Sequence, residues 1–183
     1  VVPWNDLAAL KAAFAKYPGQ IAAVIGEPLL ANSGSIPPEP GFLRGWVDLC
    51  REHGAYSIFD EVITGFRLAL GGAREYYGVI PDLSVYAKAL AAGFSLAAVG
   101  GSKKAFAPLL EGKSSHMGTY NGSPINLAAS VAALELLGQP GVYQNMHSHG
   151  YALREIIEQQ AKANGITLVT SGVGTVFSVH WGL

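Results

Sequence analysis

Apolar positions recur along this chain with two periods. Leu7, Leu10, Phe14 and Tyr17 fall at helical spacing, with Asn5 placed to cap the helix and Pro18-Gly19 placed to stop it. Residues 21–25 are a continuous apolar run of strand length, closed by Gly26-Glu27-Pro28. A Pro/Ser/Gly-rich loop follows, and then Phe42, Trp46, Leu49 and Cys50 mark an amphipathic helix ending at His53-Gly54. Residues 55–60 form a second apolar strand that runs straight into two adjacent carboxylates, Asp60 and Glu61. Leu83 to Tyr86 and residues 96–99 read as two further short buried strands. Strand, helix, strand, with each strand apolar on both faces, is the pattern of a parallel sheet covered by helices.

The second half changes character. Pro124 to Leu137 is an Ala-rich helix whose one charge is Glu135, which predicts burial nearly all round. A Gly138-Gln139-Pro140-Gly141 break precedes a longer amphipathic helix, Val142 to Ala163, and residues 166–181 have strand character interrupted by glycines. The break predicts a domain boundary, with 1–137 in one domain and 138–183 in a second. The chain opens on Val1-Val2-Pro3, already inside patterned sequence, and is expected to be part of a longer one.

Composition narrows the possible partners. Half of the 183 residues are hydrophobic and 14% are charged, which excludes intrinsic disorder. A net charge of −1 without a Lys/Arg cluster argues against a nucleic-acid partner. No apolar run is long enough to span a bilayer, so no membrane association is expected. The single Cys50 excludes an internal disulfide and fits a reducing compartment, so the expected location is the cytoplasm.

Four features carry candidate chemistry. Asp60 and Glu27 each stand at the carboxyl end of a strand, where open parallel sheets bind ligands, although either acid could equally be a cap or an ion-pair partner. Strand alternation sends Glu61 to the opposite face from Asp60, which makes it structural. Lys88 is flanked by small and apolar residues, which predicts partial desolvation and an amine able to attack a carbonyl; a lysine that snorkels to solvent is the plainer alternative. Gly118-Thr119, in a Gly- and hydroxyl-rich turn before a helix, suits a phosphate or serves as an ordinary helix cap. His147-Ser148-His149 lacks carboxylate or Cys partners at ligand spacing and reads as helix surface; His53 and His180 form no constellation, and no metal site is expected. Together the acid, the lysine and the Gly-Thr turn match the needs of pyridoxal 5′-phosphate: an amine for its aldehyde, a carboxylate for its ring nitrogen and donors for its phosphate.

The stretches "IFDEVITGFR", "PDLSVYAKALAAGFSLAAVGG" and "GTYNGSP", in that order and spacing, resemble the class III (subgroup II) pyridoxal-phosphate-dependent aminotransferases, from about Asn5 to the end of the chain. "GFRLALGGAREYYGVIPDL" and the "ANSGSIPP" loop are most similar to the glutamate-1-semialdehyde aminomutase branch and its aminotransferase relatives. The resemblance implies part of a three-layer α/β/α fold-type I large domain, followed by the start of a small α+β domain. It implies amino-group transfer or its aminomutase variant on an amino acid, an amine or glutamate-1-semialdehyde, in a homodimer with the cofactor at the subunit interface. By position, Lys88 would hold the cofactor as an internal aldimine and move the substrate proton, and Asp60 would pair with the ring nitrogen. Val62 would pack on the ring, Asn32 would lie near its phenolic oxygen, and Glu27 would stand on the substrate side. Gly118 and Thr119 would bind the phosphate of the neighbouring subunit's cofactor. Ser95 stands where the family commonly has Pro, and "TYNGSP" is closer to the aminotransferases than to the mutase. The rival class is a nucleotide-hydrolysing domain, in which "YSIFDEV" would be a Walker-B-type strand; it leaves Lys88 and the Gly-Thr turn unexplained, and no G-x-x-x-x-G-K-[ST] loop occurs.

Overall fold

A computed structural model describes residues 1–182. Helix α1 (Leu7–Lys16) leads into strand β1 (Ala23–Gly26), and helix α2 (Phe42–Glu52) into strand β2 (Tyr56–Glu61). The short helix α3 (Gly72–Tyr76) precedes strand β3 (Leu83–Tyr86), and strand β4 (Ala98–Gly101) completes a sheet of order β1-β2-β3-β4. The first three strands are parallel, as the sequence predicts, but β4 runs antiparallel to β3. A parallel pair needs a crossover of a dozen or more residues, and the short connection from Tyr86 to Ala98 holds only one 3-10 turn, Lys88–Ala91.

Helix α1 is capped by Asp6, whose carboxylate accepts from the Ala9 amide at 2.8 Å; the neighbouring Asn5 takes a left-handed conformation instead and bonds Pro37 and Glu39. Leu10 and Phe14 of α1 and Phe42, Leu43, Trp46, Val47 and Cys50 of α2 pack with Phe59 into the main core. Trp46 lies against Phe59 at 5.1 Å between ring centroids, and a Cβ on Gly26 would come within 3.3 Å of the Trp46 ring. These contacts cover the sheet face that carries Ser57, Phe59 and Glu61. Helix α4 (Lys103–Leu110) flanks the opposite face, where its Phe106 and Leu109 line a hollow with Leu83 and Val99.

Beyond Gly138, helix α6 (Val142–Ala163) packs on a hairpin of strands β5 (Leu168–Val173) and β6 (Val176–Trp181). Gly150 permits this, since a Cβ there would meet the Gly174 carbonyl carbon at 2.4 Å. Arg154 ties α6 to β5 through the Thr170 hydroxyl and the Gly172 carbonyl, both at 2.9 Å. A second core joins the hairpin's Val173 and Val176 to Leu29, Leu68 and Ala73. His147 is part of that junction rather than bare helix surface: its Nε2 lies 2.8 Å from the Leu68 carbonyl and its ring 5.8 Å from that of Tyr76. Helix α5 (Pro124–Leu137) departs furthest from expectation. Only Ser130 is buried, while Ile125, Leu127, Val131 and Leu136 are exposed, because α5 touches the chain chiefly along the Lys88–Ala91 turn.

Candidate active site

The parallel register brings Glu27, Asp60 and Lys88 to one edge of the sheet. Gly26 pairs with Phe59, so Glu27 and Asp60 are the next residues out on adjacent strands. Asp60 pairs with Val85, and Lys88 follows the end of β3 by two residues. The alignment of β2 and β3 is pinned where β3 begins. The Asp82 carboxylate accepts from the Ser57 amide at 2.9 Å and the Ser57 hydroxyl at 2.8 Å, and the Asp82 amide donates back to the Ser57 carbonyl at 3.0 Å. Sequence reasoning missed this pair; its signal is an acid directly ahead of an apolar strand.

The two carboxylates ending β2 have separate fates. Glu61 is fully buried and accepts from the amides of Ala73 and Arg74 and the Thr64 hydroxyl, so it holds the start of α3 against the sheet. Burial pushes its carboxyl above the ordinary range, and the three donors and the Arg74 charge pull against that shift. Gly72 has φ +73, and a Cβ there would lie 2.2 Å from Glu61 Oε2. Asp60, on the opposite face, is half-buried; its Oδ1 accepts from the Val62 amide at 3.1 Å, a local turn that fixes the carboxylate and swings Val62 out of the strand. Oδ2 accepts no hydrogen bond among the described residues.

Lys88 is exposed on this chain, against the desolvation expected from its flanks. The apolar residues beside it turn the other way: Leu90 and Ala91 are buried against α5, where Ser130 donates to the Leu90 carbonyl at 2.8 Å. Lys88 itself adopts a left-handed backbone conformation, φ 45, and Ala92 at the far end of the turn another, φ 49. Such geometry in non-glycine residues costs on the order of 1–3 kcal/mol and concentrates at functional sites. It redirects the lysine out of the strand path into an open hollow of about 540 Å³ shared with Arg67, Gly93, Phe94 and Ser95. Arg67, also missed from sequence, is held there by its bond to the Ile63 carbonyl at 2.7 Å.

Glu27 does not stand free. Its carboxylate accepts from the Ala31 amide and from the Asn32 side chain, both at 3.0 Å, and so joins two predicted site residues directly. Gly118 and Thr119 lie in an exposed loop ahead of α5 and do not line the Lys88 hollow; α5 links the two regions, with Asn126 donating to the Ser95 carbonyl at 2.7 Å. His180 Nε2 lies 2.7 Å from the Ser171 hydroxyl, which in turn donates to the Gly34 carbonyl, so this histidine belongs to a loop anchor.

An amine turned out beyond one strand and a carboxylate with one uncommitted oxygen near the end of the next fit the needs of pyridoxal 5′-phosphate, an amine for its aldehyde and an acid for its ring nitrogen. A mixed α/β fold with an acid and a lysine at neighbouring strand ends of a parallel sheet places the chain in the class of cofactor-binding proteins with the fold-type I architecture. The "Aminotransferase class-III" family model matches residues 4–181, and the chain belongs to that family. It is 44% identical over 183 residues to a glutamate-1-semialdehyde 2,1-aminomutase of Sorangium cellulosum (strain So ce56), covering 98% of this chain and 41% of that protein. An omega-transaminase from Sphaerobacter thermophilus superposes with a TM-score of 0.91 at 30% identity, covering 98% of this chain and 41% of that one. The FumI protein of Sphingopyxis sp. MTA144, in its PLP internal aldimine form, superposes with a TM-score of 0.91 at 27% identity, covering 99% of this chain and 44% of its own. The chain thus spans about two-fifths of the length of these relatives.

Proposed function

We propose that the protein containing this chain is a pyridoxal 5′-phosphate-dependent enzyme that moves amino groups on small molecules. When bound, the cofactor supplies an aldehyde to capture an amino group and a ring that delocalises the charge left by deprotonation. Lys88 would hold the cofactor through its amine and would serve as the base that moves a proton at the substrate carbon. Asp60 would pair with the ring nitrogen, Val62 would pack on the ring, and Asn32 would lie near its phenolic oxygen. Gly118 and Thr119 bind a cofactor phosphate across a homodimer interface. Residues 1–137 belong to the large domain and 138–183 to the small one, and the protein is cytoplasmic.

The observation that carries this reading is the left-handed Lys88 standing beyond β3, beside the strand that ends in Asp60-Glu61. A specific observation also supports an aminomutase acting on glutamate-1-semialdehyde to give 5-aminolevulinate, namely the 44% identity to the Sorangium protein. The nucleotide-hydrolysing reading is set aside, because membership of the aminotransferase family accounts for Lys88 as well as for the SIFDEV strand.

The test is to add pyridoxal 5′-phosphate to the full-length protein, reduce with borohydride and map the modified peptide. The label is expected on Lys88, and Lys88→Ala is expected to lose it with at least a thousandfold loss of turnover. Labelling at another lysine, or none, would defeat the reading. Assay of glutamate-1-semialdehyde beside a panel of amino donors then separates mutase from transaminase.

A further inference from the structure

The loop after β1 is held from two sides, and only one of them acts on the Asn32 side chain. Its backbone closes on itself through the Leu30 amide to the Ile36 carbonyl at 3.0 Å and the reverse bond at 3.3 Å. Ser35 meets Ser178 at 2.9 Å, and Ser171 donates to the Gly34 carbonyl, so the β5–β6 hairpin secures the loop's far end. On the near side Glu27 Oε2 accepts from the amides of Ala31 and Asn32, at 3.0 and 3.4 Å, while Oε1 accepts from Asn32 Nδ2 at 3.0 Å. That last bond is the one partner of the Asn32 side chain among the described residues.

A carboxylate can only accept, so the amide must turn its nitrogen toward Glu27, and the flip is settled by chemistry. One Nδ2 proton is used on Glu27, and the other is left to donate outward. Both Glu27 oxygens are engaged by the loop that carries Asn32, which ties the setting of that side chain to the carboxylate.

We propose that Glu27 is a positioning residue: it fixes the rotation of the Asn32 amide so that the remaining N–H, rather than the carbonyl oxygen, faces the cofactor's phenolic oxygen. This rests on the reading of Asn32 given above. Glu27→Gln keeps the size of the side chain but offers both a donor and an acceptor, so Asn32 is freed to present either end.

The experiment titrates the visible absorption of the full-length holoenzyme against pH for wild type, Glu27→Gln, Asn32→Ala and the double variant, with thermal melting alongside. A lost charge-assisted hydrogen bond is expected to move the midpoint by about one pH unit. Glu27→Gln and Asn32→Ala should shift it in the same direction, and the double variant should shift it no further than Asn32→Ala alone. Additive shifts, or a Glu27→Gln protein that melts lower with an unmoved midpoint, would overturn the proposal. So would a cofactor band that Asn32→Ala leaves unchanged. Failure of the wild type to develop any band would instead sink the functional reading beneath it.

Discussion

At the scale of single residues, adjacent carboxylates do opposite things because a strand alternates its faces. Glu61 goes inward to three donors, while Asp60 stays on the open side with one oxygen uncommitted. Removing Glu61 orphans those donors at a fully buried site, so Glu61→Ala is expected to cost about 2–4 kcal/mol by chemical denaturation. Its carboxyl is held above the ordinary value of 4.5, so the folded state binds that proton more tightly than the unfolded chain does. The contribution is therefore fully present below about pH 4.5 and is lost as pH rises through the raised folded value. Glu61→Gln is expected to flatten this part of the stability–pH profile, which denaturation across a pH series would show. Alternation made the inward turn of Glu61 legible in the sequence. The left-handed turn at Lys88 was not legible, since "YAKALAAG" contains no residue that demands it where the lysine stands. Glu27 was only half legible: its place at a strand end could be read, but its partner lies in a loop whose path no periodicity describes.

At the scale of elements, β1 to β3 and helices α1, α2 and α6 follow from apolar patterning and the Pro/Gly breaks between them, and α5 from its Ala-rich composition, though not its exposure. The reversed β4 required knowing how little chain connects it. Helices α3 and α4 escaped because one has five residues and starts on a positive-φ glycine, and the other contains Pro108. The β2–β3 alignment depends on Asp82, which satisfies both the amide and the hydroxyl of the buried Ser57. Asp82→Ala is expected to destabilise the protein by about 2–4 kcal/mol, and Ser57→Ala by less, because the latter removes a donor together with its need. Matched urea titrations of the two variants would show the order.

For the whole molecule, the exposed apolar residues of α5, together with Ile25 and Val99 on the sheet, mark surfaces that this chain does not cover by itself. The chain holds Lys88 and Asp60 but spans about two-fifths of the relatives' length. Expressed alone, the 183-residue segment is expected to bind pyridoxal 5′-phosphate weakly and show no transamination. Measurable turnover by that segment would contradict this.

The Ser57–Asp82 clasp has a consequence for how such a protein can change over generations. It sets the offset between the acid's strand and the lysine's strand from their entry ends, independently of what the intervening stretch from Val62 to Ile80 does. Insertions and deletions in the exposed parts of that stretch can accumulate without moving Asp60 relative to Lys88. Lineages are thereby free to remodel that stretch while Asp60 and Lys88 keep their relative places.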